Sequence, residues 1–210
     1  MIAWTQFLPQ VAMRAPDCPQ LVMVEAIRRA AIEFCDESLA LREWQEYMVA
    51  PNEREVEFEQ SEWHDVAQIM AAELQDGRPI DVITPEDATR KYPGWRATRT
   101  GNIEALTQIS PSAFVPIACP AASAVLVRLE VALRPVQGAE QAHESLYSNW
   151  RTAIEAGALA GLLDIPKKPW TNEAKAGVYA MSFESAKHDA RLDAQKAFGR
   201  ARLRTRTRFF

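Results

Sequence analysis

The stretch Ser123-Ala-Val-Leu-Val-Arg-Leu-Glu-Val-Ala-Leu-Arg-Pro135 decides what kind of fold this chain adopts. Val125, Val127, Leu129, Val131 and Leu133 recur at every second residue, the side-chain period of a β-strand. Arg128, Glu130 and Arg134 fall on the opposite face, so a strand with one solvated side is expected. The residues before it supply partners. Residues 42–49 carry the strand formers Trp44, Tyr47 and Val49, and Pro51-Asn52 marks a turn after them. Residues 64–74 and 80–83, joined by Gln75-Asp76-Gly77-Arg78, read as a hairpin because Asp-Gly is a strong turn signal. Thr84-Pro85-Glu86-Asp87 opens a short helix that ends before Pro93-Gly94, and residues 104–110 and 113–118 read as further strands. The expected sheet is small and antiparallel.

Helices flank this β region on both sides. Trp4, Phe7, Leu8 and Val11 share one face of a short amphipathic segment. The first long helix is expected over 19–38, with Asp17 or Cys18 near its cap and Pro19 in its first turn. Leu21, Val24, Ile27, Ala31 and Phe34 form its buried stripe. Beyond the sheet, residues 137–166 return to helix with Leu146, Trp150, Ile154, Gly157 and Leu162 on one face. The small residues from Glu155 to Gly161 permit a second helix to come close. A last helix, capped by Thr171 or Asn172, is expected to run to about Arg200. Its seam of Ala174, Val178, Met181, Ser185, His188 and Leu192 is apolar at the start, so its first turns are expected to pack on the preceding helix. The fold class is therefore α+β: a helical bundle layer (1–40 and 137–199) with an antiparallel β-rich insert (41–136), one domain over 1–199. Residues 200–210 form a basic extended tail.

The net charge of -4 hides an asymmetry. From Lys187 onward the chain carries +6, and the residues before it carry -10. An acidic body with a basic end suits head-to-tail contacts or anionic partners. The 3 cysteines have no CxxC spacing, and Cys18 and Cys35 at the two ends of one helix stand too far apart to bond, which fits a reducing compartment. Neither a secretory signal nor a membrane-spanning run is read from the sequence.

Catalytic signals are weak. His64, His143 and His188 sit in no ligand spacing, the glycines form no phosphate loop, and no cofactor or metal is expected. Two charged ladders remain. Glu53, Glu55, Glu57 and Glu59 alternate with Arg54, Val56 and Phe58, a pattern that reads first as the solvated face of an edge strand. Arg200, Arg202, Arg204, Arg206 and Arg208 alternate in the same way and end in Phe209-Phe210. This second ladder reads as a solubilising terminus, a phosphate-binding arm, or an arm docking on a protein. The two terminal aromatics favour the protein. The matched spacing of the ladders suggests pairing of the tail with the glutamate strand of a neighbouring copy.

The sequence resembles the head-to-tail adaptor (neck or connector) proteins of tailed bacteriophages, including the tail-tubular adaptors of short-tailed phages. The resemblance rests on Trp4…Phe7-Leu8-Pro9-x-Val11 leading to Cys18-Pro19, and on the helix Glu25-Ala26-Ile27-Arg28-Arg29-Ala30-Ala31-Ile32-Glu33-Phe34-Cys35. It returns at Trp150-x-x-x-Ile154-x-x-Gly157-Ala158-Leu159-x-x-Leu162-Leu163-x-Ile165-Pro166, followed by a long helix containing Phe183. It spans the helical layer and the order of elements, while the β insert matches only in outline. The resemblance implies a non-enzymatic virion protein at the head-tail junction, made in the bacterial host cytoplasm. Such proteins form a ring, typically a dodecamer, beneath the portal. The ring extends the channel for genomic DNA, passed without sequence specificity, and gives tail or nozzle proteins their platform. Family C-terminal segments reach up to the portal, so Arg200 to Phe210 would bind there; no membrane is implied. The rival readings are a DNA-binding protein using the arginine tail, and a small hydrolase in which His64, Cys119 or acidic side chains converge.

Overall fold

In the computed structural model, residues 1–59, 61–97 and 100–195 are described. In chain order the elements are β1 (Ile2–Ala3), a 3-10 turn (Trp4–Phe7), α1 (Leu8–Arg14), α2 (Gln20–Ser38), β2 (Arg42–Val49), β3 (Val56–Glu57), β4 (His64–Leu74), β5 (Pro79–Val82) and α3 (Pro85–Lys91). They continue with β6 (Ala105–Ser110), β7 (Ala113–Pro116), β8 (Val125–Pro135), β9 (Gln141–Ala142), α4 (Glu144–Leu163) and α5 (Glu173–Gln195). The protein is α+β, and it divides into two compact units. One joins Met1–Ala3 to Leu41–Ser145; the other joins Trp4–Ala40 to the described residues from Leu146 to Gln195.

The β unit is built on β8. Its alternating apolar residues Val127, Leu129, Val131 and Leu133 are buried, and it pairs antiparallel with β2 on one side and β4 on the other. The Asp76-Gly77 turn returns β4 into β5: Gly77 takes φ 80°, where a side chain is strained, and Asp76 accepts the Arg78 N–H. The sheet has 7 strands in the order β2-β8-β4-β5-β6-β7-β3, larger than the small sheet expected. It is also not wholly antiparallel, since β5 and β6 run parallel with Asp81 opposite Ala105. A parallel pair needs a crossover, and α3 provides it. Thr84 caps α3 by accepting the Asp87 N–H, and Ala88 and Trp95 carry the crossover into a small core with Ala105 and Ile117. A separate two-stranded ribbon pairs β1 with β9.

The helical unit is organised around Phe34 of α2. Its ring lies 5.4 Å from Trp150 of α4 and 6.4 Å from Phe183 of α5. Gly157 of α4 lets the two C-terminal helices meet, because an added Cβ there would sit 2.8 Å from the Phe183 ring. Three expectations for this unit are corrected. Leu21 does not join the α2 stripe and is 81% exposed; Met23, Ile27, Ala30, Ala31, Phe34 and Cys35 form the buried face instead. Pro19, with no side-chain hydrogen bond, occupies the cap position expected for Asp17 or Cys18. The seam expected on α5 is likewise turned outward. Val178 and Met181 are 59% and 68% exposed, while Ala176, Phe183, Lys187, Ala190 and Ala194 face inward. The reason is geometric: the close approach at Gly157 selects the face carrying Phe183, and alanines let the rest of that face lie near α2.

Candidate functional site

Among the described residues no group of three or more His, Cys, Asp or Glu side chains is placed to hold a metal ion. No described helix is long and apolar enough to cross a membrane. The glutamate ladder is only partly a strand. β3 is confined to Val56–Glu57, which pairs with Phe114 and Ala113 at the end of the sheet. Val56 and Phe58 are buried while Glu55, Glu57 and Glu59 are exposed, the alternation that an edge strand requires. Glu53 departs from the ladder, because its carboxylate accepts the Ala50 N–H at 2.6 Å and closes the turn after β2. The arginine ladder from Arg200 to Arg208, with Phe209 and Phe210, lies outside the described residues.

Local spacing gave no reason to join His64 to His143, but the topology does. β4 and the segment after β9 bring their rings to 5.6 Å between centroids, edge to face. His143 Nδ1 accepts from the Ser145 hydroxyl at 2.7 Å and from the Ser145 N–H at 3.2 Å. His64 Nε2 is buried without a partner among the described residues. Burial, reinforced by the neighbouring His143, holds the His64 pKa below its ordinary value. The folded state therefore favours neutral His64. Its contribution to stability is present above the unfolded pKa of about 6.5 and is lost as pH falls through the folded value. Melting of the β unit is expected to drop on acidification through this window, and His64→Gln is expected to flatten the drop. A His64→Gln protein with an unaltered pH profile would remove His64 from the account.

Of the residues of the hydrolase reading, Cys119 and the acidic Glu55 share one cavity, and His64 does not join them in its described lining. The cavity, of about 420 Å³, is also bordered by Arg54, Trp95 and Arg96. Burial pushes the Cys119 thiol up, against the pull of Arg54, so the thiolate that nucleophilic chemistry needs is disfavoured. Arg96 stacks over Trp95 at 5.2 Å.

The helical unit holds a charged cluster that periodicity did not reveal. Lys187, read as part of the basic end of the chain, is 4% exposed. Its ammonium donates to Glu33 at 2.7 Å, and lies 3.0 Å from Glu37 and 2.8 Å from Glu184. It also sits 4.7 Å from the centre of the Phe183 ring. This cluster fastens α5 to α2. Exposed on the described residues are Glu55, Glu57 and Glu59 at the sheet edge in one unit and Val178 and Met181 of α5 in the other. No family model matches the chain, and no curated protein matches it.

Proposed function

We propose that this protein is a structural component of a tailed-phage virion, a ring-forming adaptor that docks on the portal, extends the DNA channel and gives the tail its platform. The observation that carries the reading is the element order. A short N-terminal helix, a long helix, a β-rich insertion and two long C-terminal helices follow one another, in the order and with the residues on which the adaptor resemblance rests. In this reading α2, α4 and α5 are the bundle layer that lines up side by side in the ring. The β unit is the docking surface, and the tail from Arg200 to Phe210 is the arm that reaches the portal. The chemistry required of the chain is passive: fix a geometry, present surfaces, and let DNA pass.

Mixing the protein with a portal ring and imaging the product tests this directly. The expected product is a second ring of density stacked coaxially on the portal. Removing Arg202 to Phe210 is expected to weaken that docking by about tenfold or more, as loss of an aromatic and arginine anchor does, with melting unchanged. A portal ring that recruits nothing at high protein concentration would sink the adaptor reading. The arginine ladder also supports a second reading, a DNA-binding protein. Steeply salt-dependent duplex binding by the free subunit, lost with the tail, would favour it.

A further inference from the structure

The β unit opens a cavity where β3 parts from β7, and a proline sets the place of parting. Phe114 of β7 stands opposite Val56, and the next hydrogen-bonding pair in that register is Pro116 with Arg54. Ile117 N–H donates to the Ala105 carbonyl on the β6 side, so position 116 turns to the β3 side, where proline has no N–H to give. Pairing resumes only where Asn52 N–H donates to the Pro120 carbonyl at 3.0 Å. In strict register Asn52 would meet Ala118, so the strand beyond β7 carries surplus chain, as in a bulge. The cavity of about 420 Å³ takes in this gap, with Arg54 and Glu55 on one side and Val115, Pro116 and Ile117 on the other. Small-molecule sites span about 300–1,000 Å³, and this one falls among them.

Its lining divides into an apolar floor and a charged rim. Trp95 and Ile117 are buried, while Ile109 is left 44% exposed, an apolar side chain that a bound molecule would cover. Trp95 is fixed in advance, because its indole N–H donates to Thr89 at 3.1 Å. The rim carries the exposed side chains of Arg54 and Arg96. Arg96 turns the face of its guanidinium to Trp95, which leaves its in-plane N–H groups to donate. Neither arginine has a salt-bridge partner among the described residues. Glu55 is the one carboxylate of the described lining, since Glu53 is absent from it and accepts the Ala50 N–H. The Cys119 thiol, raised by burial, stays neutral and adds no opposing charge. Two guanidiniums against one carboxylate leave a single positive charge over an apolar floor. We infer that this cavity binds a small organic monoanion, an apolar carboxylate whose oxygens meet Arg54 and Arg96 and whose hydrocarbon body lies on Ile109, Val115 and Ile117. A compact dianion such as phosphate would leave the floor uncovered and one charge unmatched, and a cation meets the wrong sign. The inference concerns binding alone, and it goes beyond the adaptor reading, which asks for no small ligand.

Isothermal titration calorimetry of the full chain with 1-naphthoate tests it, beside neutral 1-naphthalenemethanol and inorganic phosphate. 1-Naphthoate is expected to bind one site per chain with a Kd below about 1 mM, and the alcohol and phosphate about tenfold more weakly or worse. Arg54→Gln and Arg96→Gln, both at exposed positions, are each expected to weaken 1-naphthoate by about tenfold. Ile109→Trp, which fills the cavity from its partly exposed floor, is expected to abolish binding. Circular dichroism melting establishes that the variants keep the fold, and the two arginine variants decide the matter if Ile109→Trp does not. No binding up to about 10 mM, an alcohol that binds as well as the carboxylate, or arginine variants that bind as the wild type does would each overturn the site. None of these results bears on whether the chain docks on a portal, which the imaging experiment decides separately.

Discussion

Gly157→Val is expected to destabilise the helical unit by about 3 kcal/mol, and Gly157→Ala by about 1 kcal/mol, signs opposite to the usual gain from removing a helical glycine. At an open helix position alanine in place of glycine stabilises by about 1 kcal/mol, because glycine loses more backbone freedom on folding. At Gly157 the added Cβ would lie 2.8 Å from Cζ and 2.9 Å from Cε1 and Cε2 of Phe183, well inside van der Waals contact. The ring has little freedom to retreat. It is buried, Phe34 stands 6.4 Å from it, and the Lys187 ammonium is held 4.7 Å from its centre. Moving Phe34 in turn disturbs Trp150, 5.4 Å away. Overpacking a site of this kind costs about 1–3 kcal/mol for the first methyl, which overtakes the propensity gain, and valine adds volume and a stiff χ1. Urea denaturation followed at the helical dichroism signal gives the numbers. Phe183→Leu in the Gly157→Ala background is expected to recover part of the loss, and the double-mutant cycle isolates that coupling. If Gly157→Ala instead stabilises the protein by a full kcal/mol, the α4–α5 contact is not as tight as described.

The same contact explains which parts of the fold were legible from residues alone. Elements announced by local chemistry lie where the sequence puts them. Asp76-Gly77 makes its turn, Thr84-Pro85 starts its helix, and the alternation of Val127 to Leu133 buries one face of β8. Arrangements set by distant partners do not announce themselves. The parallel pairing of β5 with β6 depends on where α3 packs, and neither strand encodes its direction. On α5 the periodic reading chose the stripe with the largest apolar side chains, and the tertiary contact chose another. Alanine signals weakly by hydrophobicity yet is what a close helix approach needs, and a lysine on that stripe reads as solvent-facing. Lys187 is inward only because α2 brings Glu33 and Glu37 to meet it.

Legibility of the candidate surfaces follows the same division. The exposed glutamates at 55, 57 and 59 could be read from alternation, since Val56 and Phe58 take the buried positions between them. Glu53 could not, because its place is set by the turn it closes with Ala50. The His64–His143 pair brings together residues far apart in the chain, and no spacing rule reaches that distance. Val178 and Met181 of α5 were visible as part of a stripe in the sequence; only the direction of that stripe had to come from the structure.

Breaking the Lys187 cluster from its two sides is expected to have unequal costs. Lys187→Met should lose about 1 kcal/mol, and the triple change Glu33→Gln, Glu37→Gln, Glu184→Gln about 3 kcal/mol or more. The asymmetry follows from who is buried. The lysine side chain is 4% exposed, whereas those of Glu33, Glu37 and Glu184 are 51%, 54% and 65% exposed. Methionine keeps the apolar stem against Phe183, and the three carboxylates left behind turn into water, where their charge costs little. Neutralising the glutamates strands an ammonium away from water with amides for partners, the more expensive residue of a broken pair. Protonation behaviour gives an independent reading. Burial lowers the Lys187 pKa, but the hydrogen bonds it donates to Glu184, Glu33 and Glu37 raise it by more, leaving it above the ordinary lysine value. With the folded pKa raised, the cluster's stabilisation is complete below the unfolded pKa of about 10.4 and disappears as pH rises through the folded value. Between neutral pH and about pH 10 the cluster should therefore contribute no pH dependence. Above that range the wild type should weaken more steeply than Lys187→Met. Denaturation at pH 7 and pH 11 measures both effects. Equal costs from the two sides, or an alkaline loss that Lys187→Met leaves intact, would show that the ammonium is not the group that fastens α5 to α2.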